Sequence, residues 1–79
     1  MIIYSSETSA QRARLLDQLH QTPVTTFDAR VNLDIPHPAA RVKELREAGH
    51  RIVTHRRTLY TGKGRHNRVA EYVLLSGGV

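Results

Sequence analysis

The stretch from Pro36 to Tyr72, PHPAARVKELREAGHRIVTHRRTLYTGKGRHNRVAEY, constrains the fold more than any other part of the chain. Its first third has helical spacing, with Val42 and Leu45 on the face expected to meet a core and Ala39 three residues before Val42. Pro38 suits a first helical position, where its missing N–H costs nothing. Gly49, directly after Ala48, is a natural left-handed stop. The pattern then switches to alternation. From Arg51 to Arg57, residues Ile52, Thr54 and Arg56 share one face of a strand, and Val53, His55 and Arg57 share the other. A second strand, Val69 to Leu75, puts Ala70, Tyr72 and Leu74 on one side and Val69, Val73 and Leu75 on the other. The intervening TLYTGKGRHNR is read as a basic loop, in which Gly62 and Gly64 permit positive φ.

Upstream, the periodicity predicts two more helices. Thr8 to His20 carries Leu15, Leu16 and Leu19 on one face, with Arg12 extending that face by its aliphatic stem. Thr8-x-x-Gln11 has capping-box spacing. Gln21 to Val24, with Pro23, ends this helix. Thr25 or Thr26 then caps a short helix, Phe27 to Leu33, with Asp28 in the first turn where the helix dipole favours a carboxylate. Phe27 and Leu33 are its expected core contacts, Ala29 allows close packing, and Ile35 follows as a buried plug. Residues 1–6 are expected to form a loose arm and 76–79 a frayed tail of one domain spanning 1–79. The fold class is α+β: three helices followed by a two-stranded antiparallel β-hairpin.

Charge narrows the function. Nine of the twelve Lys and Arg lie between Arg41 and Arg68, opposed there only by Glu44 and Glu47, so this stretch carries +7 against +5 for the whole chain. A pI near 10.5 built from one concentrated half suggests a polyanionic partner. A chain without Cys has no disulfide framework and no Cys-based zinc site, which fits a reducing cytoplasm. His50 and His55 lack the companions a metal set requires, and no Ser-His-Asp set or buried carboxylate pair suggests catalysis, so neither cofactor nor enzyme activity is expected. No apolar run approaches the roughly 18 residues of a membrane span. The GKG of the loop is not the nucleotide-type phosphate loop, whose G-x-x-x-x-G-K-[ST] spacing is missing.

Three helices followed by a hairpin is the order of a winged helix-turn-helix. In TTFDARVNLDI and PAARVKELREAGHRIVT the chain resembles the helix-turn-helix domains of small phage and prophage proteins. The resemblance runs roughly from Thr8 to Leu75. It implies binding of double-stranded DNA in a bacterial cytoplasm or nucleoid, often as a repressor, activator or excision factor. It also implies that Pro38 to Ala48 is the recognition helix and that the wing lies at Gly62 to Asn67, within a hairpin spanning 56–68. Where relatives usually carry Gly, this chain has Asp34, a residue type that can occupy the left-handed region at modest cost.

Duplex recognition needs cations at phosphates and side chains at base edges. On the third helix the candidates are His37, Ala40, Arg41 and Lys43, with Glu44 as a possible reader of cytosine. Arg41 either clasps a guanine edge or pairs with Glu44; Lys43 either contacts DNA or pairs with Glu47. The hairpin supplies Arg56, Arg57, Lys63, Arg65, His66 and Arg68. In their imidazolium forms His37, His55 and His66 are hydrogen-bond donors to phosphate. A homodimer would add specificity, with Val73 and Leu75 available for a seam. The alternative is a protein-binding winged helix that docks an acidic protein surface, which Glu44 and Glu47 favour. RNA binding is a third option, with Tyr60 the one aromatic near the wing able to stack.

Overall fold

The computed structural model describes residues 7–75, the side chains of Thr61, His66 and Asn67 excepted; the expected arm and tail lie outside these residues. The elements run α1 (Thr8–Leu19), β1 (Val24–Thr25), α2 (Thr26–Asn32), α3 (Pro38–Glu47), β2 (Ile52–Thr61) and β3 (Gly64–Leu74). The strands form one antiparallel sheet in the order β1-β3-β2.

The expected two-stranded hairpin is present as β2–β3, and β1 adds a third strand on the β3 edge. Val24 pairs with Tyr72 and Thr25 with Glu71. Sequence pattern missed β1 because two residues show no alternation, and only β3 supplies their partner. Thr25 serves twice. It ends β1 and caps α2, its Oγ1 accepting from the Asp28 N–H (3.0 Å) while Asp28 Oδ2 accepts from the Thr25 N–H (3.4 Å). This reciprocal box welds the strand to the helix. The corresponding box expected at Thr8 does not form: Glu7 is the N-cap of α1, without a side-chain cap bond, and Gln11 is buried instead.

The core joins Leu15 and Leu19 of α1, Val24, Ala29, Ile35, Val42 and Leu45 of α3, and Ile52, Ala70 and Tyr72 of the sheet. Ile35 is the buried plug expected. Phe27 is not a core residue: it stands 38% exposed, because Ala29 presents the inward face of α2. Leu33 packs against the core margin. On α3 the exposed residue is Ala39, and Pro38 takes its place inside, since positions 38, 42 and 45 complete one helical stripe.

Two turns set the helix-turn-helix geometry. Asp34 sits in the left-handed region at φ 53°, and Arg14 reaches over from α1 to hold that turn, donating from Nε to the Leu33 carbonyl (2.8 Å) and from Nη2 to the Asp34 carbonyl (3.2 Å). After α3, Gly49 takes φ 105°; its N–H bonds to the Arg46 carbonyl and the His50 N–H to the Leu45 carbonyl, both at 3.0 Å. This is a Schellman stop, which satisfies the carbonyls that a helix end leaves open.

The stretch read as a loop is mostly strand. β2 continues to Thr61 and β3 begins at Gly64, leaving Gly62-Lys63 as the turn; of the two glycines only Gly64, at φ 118°, uses positive φ. Arg57 pairs with Val69 but Leu59 pairs with His66, so Asn67 and Arg68 together oppose Thr58. This β-bulge, with Arg68 at φ 58°, absorbs the residue that would otherwise break the ladder.

Gly49→Ala is expected to cost about 1–2 kcal/mol, because Cβ meets the left-handed penalty. Asp34→Gly, at φ 53°, should instead gain a few tenths of a kcal/mol. Urea unfolding of the two variants checks the opposite signs.

Candidate nucleic-acid interface

Burial decides which residues α3 can offer to a partner. Pro38, Val42 and Leu45 point inward. One flank meets α1 through Arg41 and Glu44; the other meets the sheet through Arg46. What remains outward is Ala39, half-buried Ala40, Lys43 and Glu47.

Arg41 is therefore held away from the outward face. Its side chain is only 12% exposed. Nη2 donates to Glu44 Oε2 (3.1 Å) and Nη1 to Gln11 Oε1 (3.4 Å). Nε lies 2.9 Å from Glu44 Oε1, close enough for ion pairing, but its N–H is not directed at an acceptor. Arg12 of α1 completes the cluster, donating from Nη1 to Glu44 Oε1 at 3.0 Å. One carboxylate thus sits between two guanidiniums and ties α1 to α3. Of the two roles the sequence allows for Arg41, the structure has the pairing with Glu44. The same pairing neutralises Glu44, so this carboxylate does not oppose an approaching polyanion as a bare charge.

Arg46 closes the other flank. Its Nε donates to the Ile52 carbonyl (2.7 Å) and its Nη2 to Thr54 Oγ1 (2.9 Å). It anchors the end of α3 to the start of the wing.

Of the remaining site residues, His37 is exposed at the N-cap of α3 and makes no side-chain cap bond there. Lys43 is exposed and forms no ion pair with Glu47 among the described residues. Arg56, Lys63, Arg65 and Arg68 are exposed along the hairpin. Arg57 is different: Nη1 contacts Glu71 Oε2 at 2.5 Å, with the arginine 51% and the glutamate 14% exposed. This pair neutralises Glu71 on the far face of the sheet. The backbone of His66 pairs with Leu59.

A cleft of about 410 Å³ joins the start of α3 to the root of the wing. Its walls include Arg30 of α2, His37 and Ala39 at the head of α3, and Arg56 and Val69 of the hairpin. Arg30 was not among the sequence candidates. Its place in the last turn of α2, on the helix that directly precedes α3, is the signal that would have found it. The arrangement presents Arg30 of α2 and Arg56 of the hairpin around one concave surface, with His37 as a further polar group, a pattern that suits a phosphate backbone.

The comparisons agree with this geometry. The model of a family described as a winged helix-turn-helix domain matches residues 10–77. No curated protein and no solved structure gives a significant match.

Arg41→Met is expected to cost about 1 kcal/mol of stability, since it removes a largely buried charged hydrogen-bond donor from a partly exposed cluster. It should leave duplex affinity and its salt dependence unchanged. Lys43→Ala should do the reverse, keeping stability and lowering the salt slope by about one. Chemical denaturation paired with fluorescence anisotropy separates the two roles.

Proposed function

The chain belongs to the winged helix-turn-helix domain family, which points to DNA binding in general, and from that premise we propose that it binds duplex DNA as a small regulator of the phage or prophage type. In this reading α3 enters the major groove with Ala39, Ala40 and Lys43 foremost. His37 and Arg30 meet the flanking phosphates. The hairpin lies along the backbone or minor groove through Arg56, Lys63, Arg65 and Arg68.

The observation that carries this reading is the cleft shared by Arg30, His37 and Arg56. Arginines from α2 and the wing meet there with His37 at the head of α3, while Glu44 and Glu71 are each paired with arginine elsewhere. Basic residues that merely kept the chain soluble would not need their opposing carboxylates removed from the surface that carries them. The same pairing weakens the protein-docking alternative, since Glu44 now serves α1–α3 packing and only Glu47 remains as an outward acid on α3.

The outward face of α3 is small and weakly charged. Ala39 and Ala40 fit thymine methyl groups in the major groove, and Lys43 fits a guanine edge or a phosphate. So few readers in one module favour a paired site occupied by two copies. The proposal is of a binding module that acts by occupancy, not of a catalyst.

Anisotropy with a labelled random-sequence duplex pool tests the reading. Binding at micromolar concentration or tighter in low salt is expected. Its log–log salt slope should lie near −4 to −6, corresponding to roughly 5 or 6 neutralised phosphates. Absence of binding in low salt would overturn the proposal and direct attention to an acidic protein partner.

A further inference from the structure

α3 and the hairpin must hold a fixed mutual angle if both are to engage one duplex, yet they meet at a corner. Residues 48–51 join them, and within that link Gly49 lies at φ 105°. The inward stripe of α3 fixes the helix, and Ile52 enters the same core. The anchorage of β2 then fades: Val53 and Thr54 are half-buried and residues 55–58 are exposed. On β3, among the described residues, the last buried one toward the tip is Ala70, the partner of Arg56. Lys63 and Arg65 lie beyond that pair, on ribbon that the core does not hold.

Arg46 spans the corner. From the last turn of α3 its Nε donates to the Ile52 carbonyl (2.7 Å) and its Nη2 to Thr54 Oγ1 (2.9 Å). The Leu75 N–H bonds to the Arg51 carbonyl, so β2 turns that carbonyl toward β3 and the next one, of Ile52, toward its open edge. The guanidinium thus takes an acceptor that the sheet leaves unused. Thr54 lies two residues before Arg56 on the same face of β2, and Arg56 lines the cleft with Arg30 and His37. A planar fork can hold both acceptors at once, which a single ammonium cannot do with the same geometry. A cation in the last turn of a helix already favours the helix dipole, but the dipole asks for no partner on a neighbouring strand.

We propose that Arg46 is a positioning residue for duplex binding. It sets the swing of the hairpin about the Gly49 corner, so that α3 and Arg56 are presented to one duplex together, and it does not touch the DNA itself. The swing is removed when the chain folds, so that binding does not have to remove it. This role rests on the duplex-binding reading.

The test compares Arg46→Met, Arg46→Lys and Thr54→Val with the parent chain, each first shown to be folded by circular dichroism. Affinity for a labelled duplex pool is then measured across a salt series. Both Arg46 variants are expected to bind about fivefold more weakly, and Thr54→Val about twofold, as befits a lost preorganisation. The salt slope should stay at the parent value even in Arg46→Met, whereas loss of a phosphate contact would lower it by about one. Adding Thr54→Val to Arg46→Met should have no further effect, because the two groups form one interaction. A readout without DNA uses spin labels on Lys43→Cys and Arg65→Cys, in a chain that otherwise has no cysteine. Their distance distribution should be narrow in the parent background and broader with Arg46→Lys. If Arg46→Met does not fold, Arg46→Lys and Thr54→Val still decide the matter. Parent-like affinity in both of these would overturn the positioning role. So would a slope lowered in Arg46→Met and restored in Arg46→Lys, which would make Arg46 a phosphate contact. Failure of the parent chain to bind any duplex would instead sink the DNA reading and this inference with it, whatever the spin labels show.

Discussion

α3 must bury Pro38, Val42 and Leu45 at once, and the rest of the fold is arranged around that demand. A stripe at positions 38, 42 and 45 occupies one side of the helix, so the side opposite is forced into solvent. Leu15 and Leu19 of α1, Ile35 of the turn, and Ile52, Ala70 and Tyr72 of the sheet enclose the stripe. Once those contacts form, the rotation of α3 about its axis is settled. Ala39, Ala40, Lys43 and Glu47 then have to face outward. The surface offered to a partner follows from the packing beneath it.

A core this small leaves much of the cohesion to polar groups, and the arginines divide between those that supply it and those that do not. Arg12, Arg14, Arg41, Arg46 and Arg57 are committed to the fold: they bracket Glu44, hold the Leu33–Asp34 turn, fasten α3 to β2 and pair with Glu71. A planar guanidinium with several donors spans two elements in a way that an ammonium does not. Arg30, Arg56, Arg65 and Arg68 instead stand exposed with α3's Lys43. Net charge alone overstates the cations available to a polyanion, because a structural arginine counts the same as a free one. The committed arginines still matter to the interface, since they withdraw Glu44 and Glu71 from it.

Much of this was legible from the residues. Val42 and Leu45 announced the inward face of α3, Gly49 its end, Asp34 a left-handed turn and Ile35 a plug, each through local chemistry that needs no distant partner. The alternation around Ile52 and Tyr72 marked both strands. The errors share a different character. Phe27 was expected inside because it is aromatic, yet Ala29 won the inward position on geometry. Thr8 had the right spacing for a cap, yet the N-cap is Glu7 and Thr8 is the first helical residue. The TLYTGKGRHNR segment looked like a loop because its glycines and cations lack periodicity, while cross-strand pairing and one bulge extend it as ribbon.

The sequence by itself determined the order of helices and strands, the terminators between them and the concentration of positive charge, because capping, periodicity and turn chemistry act over a few residues. Only the tertiary structure decided that Val24 and Thr25 form a strand, since their partners Tyr72 and Glu71 lie far along the chain. It also decided which arginines are structural. Arg41 meets Gln11 and Arg12 meets Glu44 across about thirty residues of sequence, and a charge's partner is set by distance in space. The face on which Arg65 emerges depends likewise on a register that two strands settle together, because a shift of one residue turns a side chain to the opposite side of a sheet.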